Sequence, residues 1–286
     1  MESSGIDPVA FRDTQRESWD GAAAGWKKWS EWLDRYTSPV SERLVELAGV
    51  ESGSHVLDVA AGFGEPALTA AHEAGPDGRV VATDISPAML EFGRERAADA
   101  GAGNLEFMLS DANSLDFPHE SFDAAVSRWG IIFEPDGEGT AERIRGFLKP
   151  GSRFAISSWG TPERAPMLGL PMQAALDFLD EDPPPPGTPG PLSRPTPEAI
   201  GGLLQGGGFS DVQAEQMEIT FEWTSPEEFG VYVKDIVAPI TRMVEAHPPD
   251  VQEQAWKAIA DSVRDHVDDD GRVRLANQVL LAVGTA

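Results

Sequence analysis

The stretch HVLDVAAGFGEPALTAA, residues 55–71, constrains this chain more than any other. His55–Ala60 reads as a short buried strand, because Val56, Leu57, Val59 and Ala60 are apolar and suit a sheet interior. Gly62-Phe63-Gly64 reads as a tight turn. Pro66 is expected in the first helical turn, where a missing N–H costs nothing, with Ala67, Leu68, Ala70 and Ala71 continuing the helix. Strand, glycine turn and helix N-terminus together predict the first unit of a nucleotide-binding α/β domain.

Further strands and helices follow at a regular spacing. Arg79–Thr83 is a strand ending at Asp84, and Ser86-Pro87 caps a helix that runs to about Ala100. Asn104–Leu109 is a third strand, followed by Ser110-Asp111-Ala112, and Ser121–Val126 a fourth, leading into Ser127-Arg128-Trp129-Gly130. A helix over 137–148 and a fifth strand, Arg153–Trp159, complete a doubly wound, mostly parallel sheet. Pro197–Gly207 is a sixth-unit helix, Asp211–Trp223 a long strand, and VRLANQVLLAVGT the last strand.

Three segments interrupt that rhythm. Residues 1–45 are expected to form a helical lid in which Trp26, Trp29 and Trp32 recur every third residue, and 38–50 a separate helix starting near Pro39. The core then spans 46–160, continues at 196–224 and closes with 271–286. Residues 161–195, including Pro183–Pro186, are expected as an insertion and lid loop, and 225–270 as a helical insertion. Both insertions follow strands, at the side where open α/β sheets bind ligands, so they are expected to build a substrate lid.

The glycine turn alone leaves two nucleotides open. Gly62-Phe63-Gly64-Glu65-Pro66-Ala67 satisfies G-x-G-x-x-A, and Asp84 lies 20 residues beyond Gly64, as in NAD(P)-dependent oxidoreductases. Asp58 argues against a dinucleotide, since a carboxylate beside the loop repels pyrophosphate and suits an amino group. Asp111 adds an acid placed to accept from an adenine amino group. No Tyr-x-x-x-Lys hydride-relay pair accompanies the strand ends.

VLDVAAGFG, the strand ending at Asp84, SDA at 110–112 and FLKPGSRFAISSW together resemble class I S-adenosylmethionine-dependent methyltransferases, most closely the ubiquinone/menaquinone-biosynthesis-type small-molecule group. The resemblance covers residues 40–160 well, and 191–223 and the final strand more loosely. It implies a Rossmann-like seven-stranded sheet with the last strand antiparallel. It departs at Ala60, where many members carry glycine. It further implies that Asp58 orients the loop and draws the donor's amino group, and that Ala60, Gly62 and Gly64 let the backbone approach the methionine. Asp84 takes both ribose hydroxyls, Ile85 and Met89 flank the adenine, and Asp111 and the Ala112 N–H read its edge. Arg128 and Trp129 border the methionine end. Trp26, Trp29, Trp129 and Trp159 are candidates for the acceptor pocket. S-adenosyl-L-methionine is then the cosubstrate and S-adenosyl-L-homocysteine the product. The methyl acceptor is a small molecule offering O, N or C; a binding module without turnover is the other outcome of the same resemblance.

Composition narrows the rest. The formal charge is −26, from 48 acidic against 22 basic residues, which disfavours nucleic acid and anionic membranes and fits adaptation to high salt. The chain has no cysteine, hence no disulfide or thiolate chemistry. No apolar run approaches the roughly 20 residues needed to span a bilayer. MESSGIDPVAFRDTQ has neither the basic nor the apolar part of a signal peptide, so a soluble cytoplasmic protein is expected. No acidic or histidine spacing suggests a metal site. None of the five histidines stands where a general base is needed, so no catalytic residue is nominated. The sequence assigns no oligomeric state.

Overall fold

A computed structural model describes residues 8–185 and 187–286. The first seven residues of the polar N-terminal stretch and Pro186 lie outside the described residues. Seven strands form one sheet in the order β3-β2-β1-β4-β5-β7-β6. They are β1 (His55–Val59), β2 (Arg79–Asp84), β3 (Leu105–Leu109), β4 (Phe122–Arg128), β5 (Leu148–Trp159), β6 (Ser210–Trp223) and β7 (Val273–Thr285). Pairing is parallel through β3, β2, β1, β4 and β5, and β7 runs antiparallel to both its neighbours, β5 and β6.

Alternation along β1 separates two cores. Val56 joins the apolar cluster on one face of the sheet, and Leu57 and Val59 join the cluster on the other. The first face is covered by α1 (Pro8–Ala48), α2 (Ala67–Ala74) and α3 (Pro87–Asp99); the second by α4 (Gly137–Phe147) and α6 (Pro197–Gly206). The remaining helices, α5 (Pro166–Leu179), α7 (Pro226–Ile236), α8 (Ala238–Glu245) and α9 (Pro249–Asp261), pack together beyond the first face.

The N-terminal region departs from expectation. One unbroken helix of 41 residues replaces the two expected, with Pro39 inside it, and it crosses the boundary expected at residue 45. An internal proline costs about 3 kcal/mol. Here Val40 and Leu44 are wholly buried on the sheet, each contributing about 1.5–3 kcal/mol. The Arg128 guanidinium also spans the weakened turn, donating from Nη1 to Thr37 Oγ1 and Ser41 Oγ at 2.9 Å each. Tertiary contacts therefore carry the helix through the proline. Farther up α1, Gly25 sits against α7 so closely that a Cβ would lie 2.1 Å from the Asp235 carbonyl oxygen. Pro66 is also one place off its expected role: it is the cap residue, and α2 begins at Ala67.

Candidate active site

The carboxyl ends of β1, β2, β3, β4 and β5 open into one cavity of about 1020 Å³, roofed by α1 and the insertion helices. At its floor the β1 turn needs left-handed backbone three times, with φ of 58° at Ala60, 54° at Gly62 and 104° at Gly64. A Cβ at Gly62 would meet nothing within 4 Å, so the bare backbone there is open to a ligand. Neighbouring strand ends lock the turn: Ala61 N donates to the Thr83 carbonyl at 2.9 Å, and Ser127 Oγ donates to the Val59 carbonyl at 2.8 Å.

Asp84 ends β2, 8% exposed, at the cavity wall. Its carboxylate accepts from Gly62 N and Ser86 N, each at 2.8 Å. Burial pushes its pKa up to about 6, against the pull of the Ser86, Gly62 and Ile85 N–H groups and with the Asp20 charge adding to the rise. Asp20 comes from α1: its carboxylate accepts from Ser86 Oγ at 2.5 Å and Ala88 N at 3.3 Å. This latches the long helix over the start of α3. Ser86 itself caps α3, accepting from Met89 N at 3.1 Å.

Asp111 follows β3, with Oδ1 accepting from Asn113 N at 3.0 Å and Oδ2 lying 3.7 Å from Arg12 Nη1. It therefore caps a turn and also lines the cavity. Arg128 ends β4 and is 8% exposed. Burial lowers its pKa, opposed by the charges of Glu65, Asp34 and Asp58. Its guanidinium lies 5.2 Å from the Trp129 ring centroid. Trp129 has a left-handed backbone, φ 54°, which is costly for a bulky residue and typical of ligand sites. Its N–H donates to Ser157 Oγ at 3.0 Å, and its indole lies parallel to Trp159 at 4.4 Å. Gly130 cannot carry a side chain, since a Cβ would come 2.5 Å from that of Ala60.

Of the ten residues expected around the donor, Ala60, Gly62, Asp84, Ile85, Met89, Asp111 and Arg128 line the cavity. Asp58, Gly64 and Ala112 do not. Asp58 is wholly buried beneath the turn, with no hydrogen bond of good geometry. Burial holds its pKa well above the usual carboxylate range, opposed by the Arg128 charge and the Ala67 N–H. A ligand's amino group does not reach it directly; its influence passes through the turn and Arg128. Gly64 packs instead against Gly93, Leu68 and Phe107, each 3.6 Å from where a Cβ would stand. Ala112 is buried in the core on the second face.

Trp26, Trp129 and Trp159 line the cavity, and Trp29 does not. Trp29 turns toward α7, donating from Nε1 to Asp235 at 2.9 Å and meeting Tyr232 edge to face at 5.3 Å. Three residues along a helix rotate a side chain by about 60°, so each indole reaches a different partner. Trp26 meets Phe63 at 5.5 Å, and Trp32 stacks on Phe221 at 5.2 Å.

Three wall residues escaped the sequence reading. Phe221 and Tyr232 come from β6 and α7, far along the chain, and Glu134 follows the short turn Ile131–Phe133 after β4. Tyr232 is buried, which raises its pKa and keeps the phenol protonated. None of the five histidines lines the cavity, and the described residues hold no cluster suited to a metal ion. No described helix is long and apolar enough to cross a membrane.

A 3-2-1-4-5-7-6 sheet with an antiparallel β7, a glycine turn after β1 and an acid ending β2 defines a nucleotide-binding α/β domain. Comparison with known proteins resolves which one. Residues 50–176 match the family model described as a methyltransferase domain. The chain is 34% identical over 155 residues to aklanonic acid methyltransferase DauC of Streptomyces sp. (strain C5), covering 51% of this chain and 69% of that protein. It is 38% identical over 124 residues to the ubiquinone/menaquinone biosynthesis C-methyltransferase UbiE of Pseudomonas fluorescens (strain Pf0-1), covering 43% of this chain and 48% of that protein, so the match spans about half of that relative's length. Among solved structures, Haemonchus contortus phosphoethanolamine N-methyltransferase 2 in complex with S-adenosyl-L-methionine shares the fold, with a TM-score of 0.60 at 19% identity over 98% of this chain and 60% of that one. The chain belongs to the methyltransferase domain family, among the class I S-adenosylmethionine-dependent methyltransferases. That membership decides between the two nucleotides the glycine turn leaves open.

Proposed function

We propose that this protein transfers the methyl group of S-adenosyl-L-methionine to a small-molecule acceptor held in the same cavity. The observation that carries the reading is continuity. One cavity of about 1020 Å³ runs from Asp84, Ile85 and Asp111 past the glycine turn to the Trp129–Trp159 wall. Single-ligand sites occupy roughly 300–1,000 Å³, so a nucleotide fits with space left for an acceptor.

The residues fit the donor. Each Asp84 oxygen accepts one backbone N–H and keeps a lone pair for a ribose hydroxyl. Ile85 and Met89 offer apolar contact to the adenine, Asp111 an acceptor for its amino group and the Ala112 backbone N–H a donor. Ala60 and Gly62 leave backbone room at the methionine end, Gly64 shapes the turn from behind, and Asp58 acts on the methionine end through Arg128. A bound sulfonium supplies an activated methyl with a neutral leaving group. The protein's task is alignment and exclusion of water, and well-oriented reactants account for about 7–11 kcal/mol of barrier lowering. The acceptor side is apolar and aromatic, with Trp129, Trp159, Leu168, Phe221 and Tyr232. No imidazole stands there among the described residues, so the acceptor is a largely apolar molecule that brings a reactive nucleophile. The cytoplasmic placement expected from the sequence suits a donor made and used inside the cell.

Calorimetry with S-adenosyl-L-homocysteine and with NAD⁺, followed by transfer of labelled methyl to a panel of aromatic acids, phenols and amines, tests the proposal. Binding of the homocysteine product, no binding of NAD⁺ and label in one acceptor class are expected. Tight NAD⁺ binding would overturn it, and tight product binding with no transfer would leave a binding module.

A further inference from the structure

Glu134 has no part in the site as read so far. It lines the cavity, and Asn113 Nδ2 donates to its Oε2. Asn113 Oδ1 in turn accepts from Thr140 Oγ1 of α4 at 2.5 Å, so the Glu134 carboxyl is fixed onto the turn that presents Asp111. The wall it faces is acidic from three elements. Asp111 comes from the end of β3, Asp136 caps α4, and Glu138 lies in the first turn of α4. The cations there are Arg12 of α1, whose guanidinium approaches Asp111 and Asp13, and Arg194. Glu134 forms no ion pair among the described residues. Burial, together with the charges of Asp111 and Asp136, pushes its pKa up to about 7, and the Asn113 amide opposes the rise. A carboxyl held in a cavity beside two other acids, with no cation of its own, is stabilised by a ligand that brings N–H donors.

The exocyclic amino group of adenine has two N–H donors, and Asp111 accounts for one. We propose that Glu134 accepts the other, and that Asp111 and Glu134 together select adenosine over nucleosides with an oxygen at that position. The inference rests on the donor seat proposed above. An inosine counterpart would set a carbonyl oxygen against two carboxylates. Repulsion and lost hydrogen bonds would then act together, and sites built to bond a donor reject its replacement strongly.

The test is calorimetry of the whole chain with S-adenosyl-L-homocysteine and with S-inosyl-L-homocysteine, for the wild type, Glu134→Gln and Glu134→Ala. The preference for the adenosyl ligand is expected to fall roughly tenfold or more in both variants, because one charge-assisted bond and one repulsion disappear. In the wild type, adenosyl affinity is expected to rise roughly fourfold from pH 6.5 to pH 8 as Glu134 ionises, and Glu134→Gln to lose most of that rise. Equal weakening of both ligands, or an unchanged preference and pH profile in variants whose thermal unfolding is intact, would reduce Glu134 to a structural role and overturn the proposal. Failure of the wild type to bind either ligand would instead remove the donor seat itself.

Discussion

Replacing Asp84 by asparagine separates cofactor binding from folding. The wild-type carboxylate accepts two backbone N–H groups at 2.8 Å and presents its remaining lone pairs to the cavity. Asparagine has one acceptor oxygen, so one N–H–acceptor pair and one charged ribose contact are lost. Hydrogen bonds to charged groups contribute about 1.5–3 kcal/mol each, so the variant is expected to bind S-adenosyl-L-homocysteine roughly 30- to 1,000-fold more weakly. Stability responds differently. The folded-state pKa of about 6 lies above the usual 3.8, so the fold favours the protonated carboxyl. That contribution is full below about pH 4 and is lost as pH rises through 6, a cost on the order of 3 kcal/mol at neutral pH. Removing the charge relieves that cost, while the orphaned N–H costs about 1–3 kcal/mol, so the two nearly cancel. Calorimetry should show the large affinity loss with a thermal midpoint within about 4 °C of the wild type. In the wild type, affinity should fall roughly tenfold between pH 7 and pH 5 as Asp84 takes up its proton, beyond any change the asparagine variant shows. Wild-type affinity in Asp84→Asn would refute the ribose placement, and a collapse in stability would refute the cancellation.

Ala60→Gly relieves a left-handed φ of 58°, and is expected to stabilise the fold by roughly 1 kcal/mol in chemical denaturation; no gain would mean the turn is not strained there. Trp32→Ala removes the hub of an aromatic cluster with Tyr36, Phe221, Trp223 and Tyr232, and should cost about 3 kcal/mol; a loss below about 1 kcal/mol would show that the cluster packs loosely. With a formal charge of −26, the thermal midpoint should rise by several degrees between about 0.1 M and 2 M KCl, and a flat or falling midpoint would end the high-salt reading.

The sheet was legible because each strand is a short apolar run closed by a turn residue, and Ser86-Pro87 announced α3 through its cap. The acid ending β2 was legible for the same reason: position after a strand locates a cavity. What escaped the sequence depended on partners distant along the chain. Pro39 reads as a helix start until burial of Val40 and Leu44 and the Arg128 bridge are known. Trp26, Trp29 and Trp32 share a spacing, yet only their azimuth, set by the contact of α1 with α7, sends Trp29 to Asp235 and Trp26 to the cavity. Asp58 stands next to the glycine turn in sequence but faces under it in space. Glu134 lay in a polar stretch, Glu134-Pro135-Asp136, and its meaning comes from Asn113, 21 residues earlier.

A crystal structure with S-adenosyl-L-homocysteine tests the central claim most directly. The account predicts both ribose hydroxyls on Asp84, the adenine amino group between Asp111 and Glu134, and the sulfur facing the Trp129–Trp159 wall with space beyond it. A ligand bound with its ribose away from Asp84, or with its sulfur turned from that wall, would contradict it.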